Sequence, residues 1–283
     1  MGTEQATGRA VKGALVRARG LSKQYVQRSP FSHKKFVIDA LIDVDLEIAP
    51  GCLTALVGES GSGKSTLAGC LAMLEKPDRG GIWFAGDEVS RCEAAELAVL
   101  RPKMQMVFQD SAGALNPRFS AGEIIAEPLE IQGRGTGKTL RARARELMEE
   151  VGLSPDSVDR RPLDFSGGQR QRLAIARAIA LKPAFLILDE SLSGLDLSTQ
   201  AQILNLLLGL QATHSLTYLL ISHDLSLVGQ VADFVAVMHQ GRIVEQGTRQ
   251  DIFSTPQHMH TRALLGSCRM IESAFRTAQA GGR

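Results

Sequence analysis

The sequence predicts an α/β fold with a mainly parallel core sheet, and three observations carry that prediction. Strand-length apolar runs recur along the chain: "LTALVG" at 53–58, "AFLILD" at 184–189 and "LTYLLIS" at 216–222. Segments of helical periodicity lie between them, among them "STLAGCLAML" (65–74) and "STQAQILNLLLGLQ" (198–211). A glycine-rich turn joins the first run directly to its helix. Continuous apolar runs alternating with helices suit a sheet that is covered on both faces.

Length and composition set the bounds. A chain of 283 residues can bury one large core or two small ones. Its formal charge of +2 is too small to attract nucleic acid or an anionic membrane as a bulk partner. Cys52, Cys70, Cys92 and Cys268 are scattered without a CxxC pair, which fits a reduced cytosolic protein. No apolar run approaches the roughly 18 residues needed to span a bilayer. The N-terminal segment lacks the apolar core of a secretory signal, and Ala6 stands where a myristoylation motif needs Ser or Thr.

Taken in order, residues 1–14 read as a loose polar tail. Strand-like pieces from Leu15 to about Leu46 are interrupted by an exposed basic loop, "QRSPFSHKK" (27–35). After the strand at 53–58, the helix 65–74 places Leu67, Leu71 and Leu74 on one face, and Pro77 with Gly80–Gly81 ends it. "MQMVFQD" (104–110) reads as a strand. Residues 113–165 change character, and with the charged helix 139–153 they read as a mostly helical segment inserted into the α/β core. After the strand at 184–189, Ser198 is the expected N-cap of the helix 198–211. "FVAVMHQGRIVEQG" (234–247) reads as a hairpin turning at Gln240–Gly241.

The chemistry begins at "GESGSGKST" (58–66), which fits G-x-x-x-x-G-K-[ST] over Gly58, Glu59, Ser60, Gly61, Ser62, Gly63, Lys64 and Ser65, with Thr66 following. Such glycines let backbone N–H groups close on phosphate oxygens, and the helix N-terminus adds partial positive charge. Lys64 is placed for the β- and γ-phosphates and the Ser65 hydroxyl for Mg²⁺. A dinucleotide fingerprint fails, because Thr66 stands where its third glycine belongs. Asp189 and Glu190 end an apolar strand. They suit an outer contact to Mg²⁺ and a base near the γ-phosphate, although a solvated edge or a helix cap needs the same residues. His223 would lie at the same sheet edge, where open α/β sheets collect their ligands; a lone histidine there can equally be structural. A second glycine turn, "DFSGGQRQR" (164–172), opens another helix. An ordinary cap explains Ser166, but two consecutive glycines cost helix stability.

Lys64, Gln109, "SGGQRQR", "LILDE", "SGLD" and "ISHD" occur in the order and rough spacing of an ABC transporter ATPase domain, which the chain resembles over roughly residues 15–266. The resemblance implies a P-loop NTPase core, an N-terminal antiparallel β subdomain, the inserted helical subdomain, and an ATPase domain over 15–250 with a C-terminal extension at 251–283. It implies Walker A at 58–66, a Q-loop at Gln109 that also reaches Mg²⁺, Walker B at 185–190 with Asp189 acting through water, a D-loop including Asp196, and a switch His223. Glu190, His223 and Gln109 would be the catalytic set, with ATP and Mg²⁺ bound. Tyr25 matches the aromatic that stacks on adenine. In this family two ATPase domains face head to tail, so Ser166, Gly167, Gly168 and Gln169 would serve the partner's ATP.

Three stretches resemble the peptide and nickel importer branch: "FQDSAGALNPRF" (108–119), "STQAQILNLL" (198–207) and "STPQHMHTRALLGS" (254–267). In the last, Met259 and His260 stand where Pro and Tyr are usual, and in the D-loop Gly194 replaces a common Ala. The resemblance implies an identical or paralogous ATPase partner, two membrane permeases, an external solute-binding protein engaged indirectly, and a place on the cytoplasmic face of the membrane. A soluble ATPase of DNA repair or ribosome action is the alternative. Against it, no long coiled coil separates Thr66 from Phe165, and the chain carries one ATPase domain. Arg170, Arg172 and "TLRARAR" (139–145) read as solvated helix faces rather than a nucleic-acid patch. His258 and His260, two apart without a further clustered ligand, read as surface residues.

Overall fold

The computed structural model describes residues 13–28, 35–109 and 113–267. Among the described residues, ten strands form two sheets. The strands are β1 (Val16–Arg28), β2 (Lys35–Ile48), β3 (Leu53–Val57), β4 (Arg79–Phe84), β5 (Asp87–Glu88), β6 (Met104–Val107), β7 (Phe185–Asp189), β8 (Thr217–Ile221), β9 (Phe234–His239) and β10 (Arg242–Thr248). The helices accompanying them are α1 (Lys64–Leu71), α2 (Ala94–Leu100), α3 (Ala121–Ile131), α4 (Gly137–Glu150), α5 (Gly167–Ile179), α6 (Leu197–His214), α7 (Leu225–Val231) and α8 (Arg249–Ser254). Residues 259–267 are also helical.

The core sheet has the order β10-β9-β3-β8-β7-β6, with every neighbouring pair parallel except the β9–β10 hairpin. Strand alternation divides it cleanly. Leu186 and Leu188 pack on one face with α3 to α6, while Phe185 and Ile187 pack on the other with α1, β1 and β2. Both faces are covered, so β3, β7 and β8 are buried at every position. Each large aliphatic side chain so buried is worth about 1.5–3 kcal/mol. The second sheet, β2-β1-β4-β5, is wholly antiparallel.

Register decides where the functional loops emerge. Leu56 pairs Ile221, Asp189 pairs Ile221, and Val107 pairs Leu188. The carboxyl ends of β3, β6, β7 and β8 therefore share one edge of the sheet, and residues 58, 108, 190 and 222 leave from it together.

Several local expectations are corrected. Helix α1 ends at Leu71, ahead of Pro77, because Met73 takes φ 55° and the N–H of Leu74 bonds the Gly69 carbonyl at 2.9 Å. Leu74 is thereby swung out and left 52% exposed. Asp196, not Ser198, caps α6: its carboxylate accepts from the N–H of Thr199 at 2.9 Å and from that residue's hydroxyl at 2.7 Å. Strand pairing extends into the expected basic loop as far as Arg28 and Lys35, and 29–34 lie outside the described residues, as do 1–12 of the tail. Arg172 is no solvated cation, since it donates to the Val151 carbonyl at 2.7 Å. The hairpin turns where expected, with φ of 45° at Gln240 and 78° at Gly241, both positive as a tight two-residue turn demands.

Tyr218 is fully buried in β8 and donates its hydroxyl to the Leu207 carbonyl of α6 at 2.9 Å. Tyr218→Phe should cost about 1 kcal/mol, the usual net worth of one such bond, read as a lower midpoint in urea unfolding. An unchanged midpoint would show that this bond does not tie α6 to the sheet.

Candidate functional site

The loop 58–66 crosses from β3 into α1 at the shared sheet edge. Backbone holds it from outside. A Cβ on Gly58 would stand 2.2 Å from the Met238 carbonyl oxygen, and one on Gly63 would stand 2.3 Å from that of Ala40. Gly63, at φ 106°, is also the N-cap of α1 and supplies no side-chain cap. The first N–H groups of α1 are thus left without a capping side chain, at the positive end of its dipole. Gly241 completes the seat: its N–H bonds the Ser62 carbonyl at 2.9 Å, and its own carbonyl accepts from the N–H of Ile42 at 2.8 Å.

Lys64 is buried inside this loop. Its ammonium donates to the carbonyls of Gly58 at 2.9 Å and Glu59 at 2.8 Å. Burial lowers its pKa, and the nearby Glu190 and Asp189 oppose that shift. Glu59, Ser60, Gly61 and Ser65 are exposed, whereas Ser62 is buried with its hydroxyl oxygen lacking a partner among the described residues. The Ser65 hydroxyl donates to the Asp189 carboxylate at 3.2 Å. Burial raises the Asp189 pKa, and the Ser65 bond partly offsets it.

Glu190 carries the backbone exception at this edge. It sits at φ 43°, its N–H bonded to the Ile221 carbonyl at 3.0 Å and its carbonyl accepting the Ser193 hydroxyl at 2.6 Å. Non-glycine residues in this region cost of order 1–3 kcal/mol and cluster at working sites. Gln109 donates to the Glu190 carboxylate at 3.1 Å, and the His223 Nδ1 lies 3.6 Å from the same oxygen. A cleft of about 90 Å³ lined by Glu190, Ser193 and His223 adjoins them. Tyr25 stands at the α1 end of the loop, its hydroxyl bonded to Glu75 and to the Thr66 side chain. The structure thus brings Tyr25, 58–66, Gln109, Asp189, Glu190 and His223 together.

It does not bring the second glycine turn to them. Ser166 caps α5, accepting from the N–H of Gln169 at 3.3 Å, while the Gln169 side chain accepts from the N–H of Ser166 at 3.0 Å. Among the described residues, no hydrogen bond or ion pair links 166–169 to 58–66. Gly168 has a packing reason of its own, since a Cβ there would meet the Thr199 methyl at 2.5 Å. Asp196, capping α6, is held below the usual carboxylate range by its two bonds from Thr199.

One grouping was missed in the sequence. His260 is not a plain surface residue. Its ring lies 3.8 Å, centroid to centroid, from that of His239, and Glu59 joins the pair. The only available signal was a histidine in the 234–247 hairpin and another far along the chain, and no spacing rule connects them.

Residues 41–193 match the ABC transporter family profile. The chain belongs to the ABC transporter family. It is 45% identical over 253 residues to a putative peptide import ATP-binding protein of Brucella ovis, covering 89% of this chain and 78% of that protein. It is 43% identical over 268 residues to the dipeptide transport ATP-binding protein DppF of Escherichia coli, covering 94% of this chain and 79% of that one. Among solved structures, the dimeric ATP-binding cassette MJ0796 in a post-hydrolysis state with ADP and Pi superposes with a TM-score of 0.72 at 28% identity, covering 83% of this chain and 98% of that one. CbiO1 of Clostridium perfringens, part of the ABC transporter complex cbiONQ, superposes with a TM-score of 0.74 at 27% identity, covering 86% and 92%. The antiparallel sheet and mostly parallel core are those of an ABC cassette.

The loop's geometry separates two glycine substitutions. Gly63→Ala meets both a positive φ and backbone oxygen, while Gly61→Ala meets a positive φ of 78° with no heavy atom within 4 Å. Gly61→Ala should cost about 1–2 kcal/mol, and Gly63→Ala clearly more, by urea unfolding of the two variants. Equal losses would mean that Gly63 is not wedged against Ala40.

Proposed function

We propose that this ABC cassette binds and hydrolyses ATP to energise a membrane importer whose cargo is a peptide. The supporting observation is the single sheet edge that gathers an uncapped helix N-terminus, a buried lysine and two strand-end carboxylates. The peptide import and dipeptide transport proteins, similar over most of the chain, support the cargo class.

In this reading the amides of 58–66 and Lys64 take the phosphates of ATP, and the half-exposed Tyr25 ring takes the adenine. The Ser65 hydroxyl and Asp189 carboxylate are adjacent hard oxygen donors, which fit Mg²⁺. Ser65 and Gln109 would hold the ion directly and Asp189 through water; when bound it neutralises phosphate charge. Glu190 accepts the proton of the attacking water. His223 and Gln109 orient the Glu190 carboxylate through the same oxygen, at the cleft where a water fits. Ser166, Gly167, Gly168 and Gln169 present the N-terminus of α5 to the ATP of a second cassette, with Asp196 beside that interface. Two permeases dock on the helical segment 113–165, and an external binding protein delivers cargo to them. The C-terminal extension at 251–283 follows the cassette of 15–250. No helix among the described residues is long and apolar enough to cross a membrane. Peripheral attachment through the permeases, on the cytoplasmic face, fits this chain.

Glu190→Gln keeps shape but cannot take a proton. Hydrolysis should fall by about 10²–10⁴-fold while ATP binding persists, measured by phosphate release and by nucleotide titration. Retained turnover would remove Glu190 from the role of base.

Pairing two defective chains tests the composite site. Lys64→Ala and Ser166→Arg should each be inactive alone. In a mixed dimer, the intact Walker A of one chain meets the intact signature of the other, so mixing should restore hydrolysis. If the natural partner is a paralogue, one substitution goes in each chain. A silent mixture, with mixed dimers verified and one-site turnover established independently, would show that 166–169 do not act on the neighbour's ATP.

A further inference from the structure

Three elements remote in sequence meet beside the phosphate loop. Glu59 lies just after β3, His239 ends β9, and His260 sits in the helix 259–267. One ligand atom from each falls within 4.8 Å of the others. No hydrogen bond among the described residues joins the Glu59 carboxylate to either ring. His260 Nε2 is buried and has no partner among the described residues. A buried ring nitrogen left unpaired calls for an explanation, and a metal ion is one.

The surroundings hold His260 in place. The His260 N–H donates to His258 Nδ1 at 3.2 Å, which keeps that nitrogen engaged elsewhere. Glu245 accepts from the N–H groups of Gln257 at 2.7 Å and His258 at 3.0 Å, pinning the turn that leads into the helix.

We propose that Glu59, His239 and His260 form a site for a divalent transition ion of the Zn²⁺ class. Two imidazoles and one carboxylate are a zinc-type donor set, with ligand bonds of about 2.0–2.2 Å and a fourth position open to water. Ligand atoms around such an ion stand roughly 3–4 Å apart, so the cluster needs only a modest contraction. Mg²⁺ prefers oxygen donors, which keeps this site chemically distinct from the Ser65–Asp189 pair. Occupancy would tie the outer end of the phosphate loop to the β9–β10 hairpin and the C-terminal helix.

The test uses the full chain, free of nucleotide and metal, titrated with Zn²⁺ against a chromogenic chelator. One tight Zn²⁺ per chain is expected. His239→Ala and His260→Ala should each weaken it by at least the roughly 10–100-fold that loss of a supporting partner causes, and replacing all four cysteines by serine should leave it intact. Thermal unfolding verifies that each variant is folded. Co²⁺ bound to the unaltered chain reports the ligands without any substitution, and should give d–d absorption free of thiolate charge-transfer bands. Absence of binding, binding that survives either histidine substitution, or thiolate charge transfer would each overturn the site.

Discussion

A loop whose first and last glycines leave no room for a Cβ is held by backbone from outside. That constraint governs this molecule. Gly58 lies against the Met238 carbonyl and Gly63 against that of Ala40, each too close for a Cβ. Ala40 is in the antiparallel sheet and Met238 in the parallel one. The loop is therefore the wedge between the two sheets, and Gly241 locks it by bonding Ser62 on one side and Ile42 on the other. Moving either sheet would open the loop.

The electrostatics follow from that wedge. Lys64 is buried in the loop and donates to the loop's own carbonyls. Burial makes its charge costly, and Asp189 and Glu190 offset the cost from the neighbouring strand end. Those carboxylates are near because β3, β8 and β7 lie side by side in register. The unusual φ of Glu190 turns the chain away from the strand at the point where its side chain meets Gln109 and His223.

The second glycine turn obeys different physics. Ser166 and Gln169 satisfy each other across the first turn of α5, and Gly168 lets α6 approach through Thr199. The capping pair and the close helix contact define the direction in which α5 presents its N-terminus. Asp196, which caps α6 through the same Thr199, couples that presentation to the chain just after Glu190. A shift of α6 would thus be felt at both ends of the segment 189–199.

The sequence by itself determined the class of fold, the buried strands and the hairpin, because these rest on local rules. Apolar runs report strands covered on both faces, and a Gln-Gly pair between two strands reports a tight turn. Local rules failed where two signals competed over a few residues. Ser198 and Asp196 both suit a helix cap, and Asp196 prevailed by bonding Thr199 twice. Met73, an ordinary residue in a left-handed conformation, ended α1 without glycine or proline. Only the tertiary structure decided that Gly168 answers to Thr199, that Gly63 answers to Ala40, and that Glu59, His239 and His260 converge. Those contacts depend on register and helix packing between segments up to about two hundred residues apart. A side chain's neighbours across such distances are set by the whole core, and no periodicity within one segment encodes them.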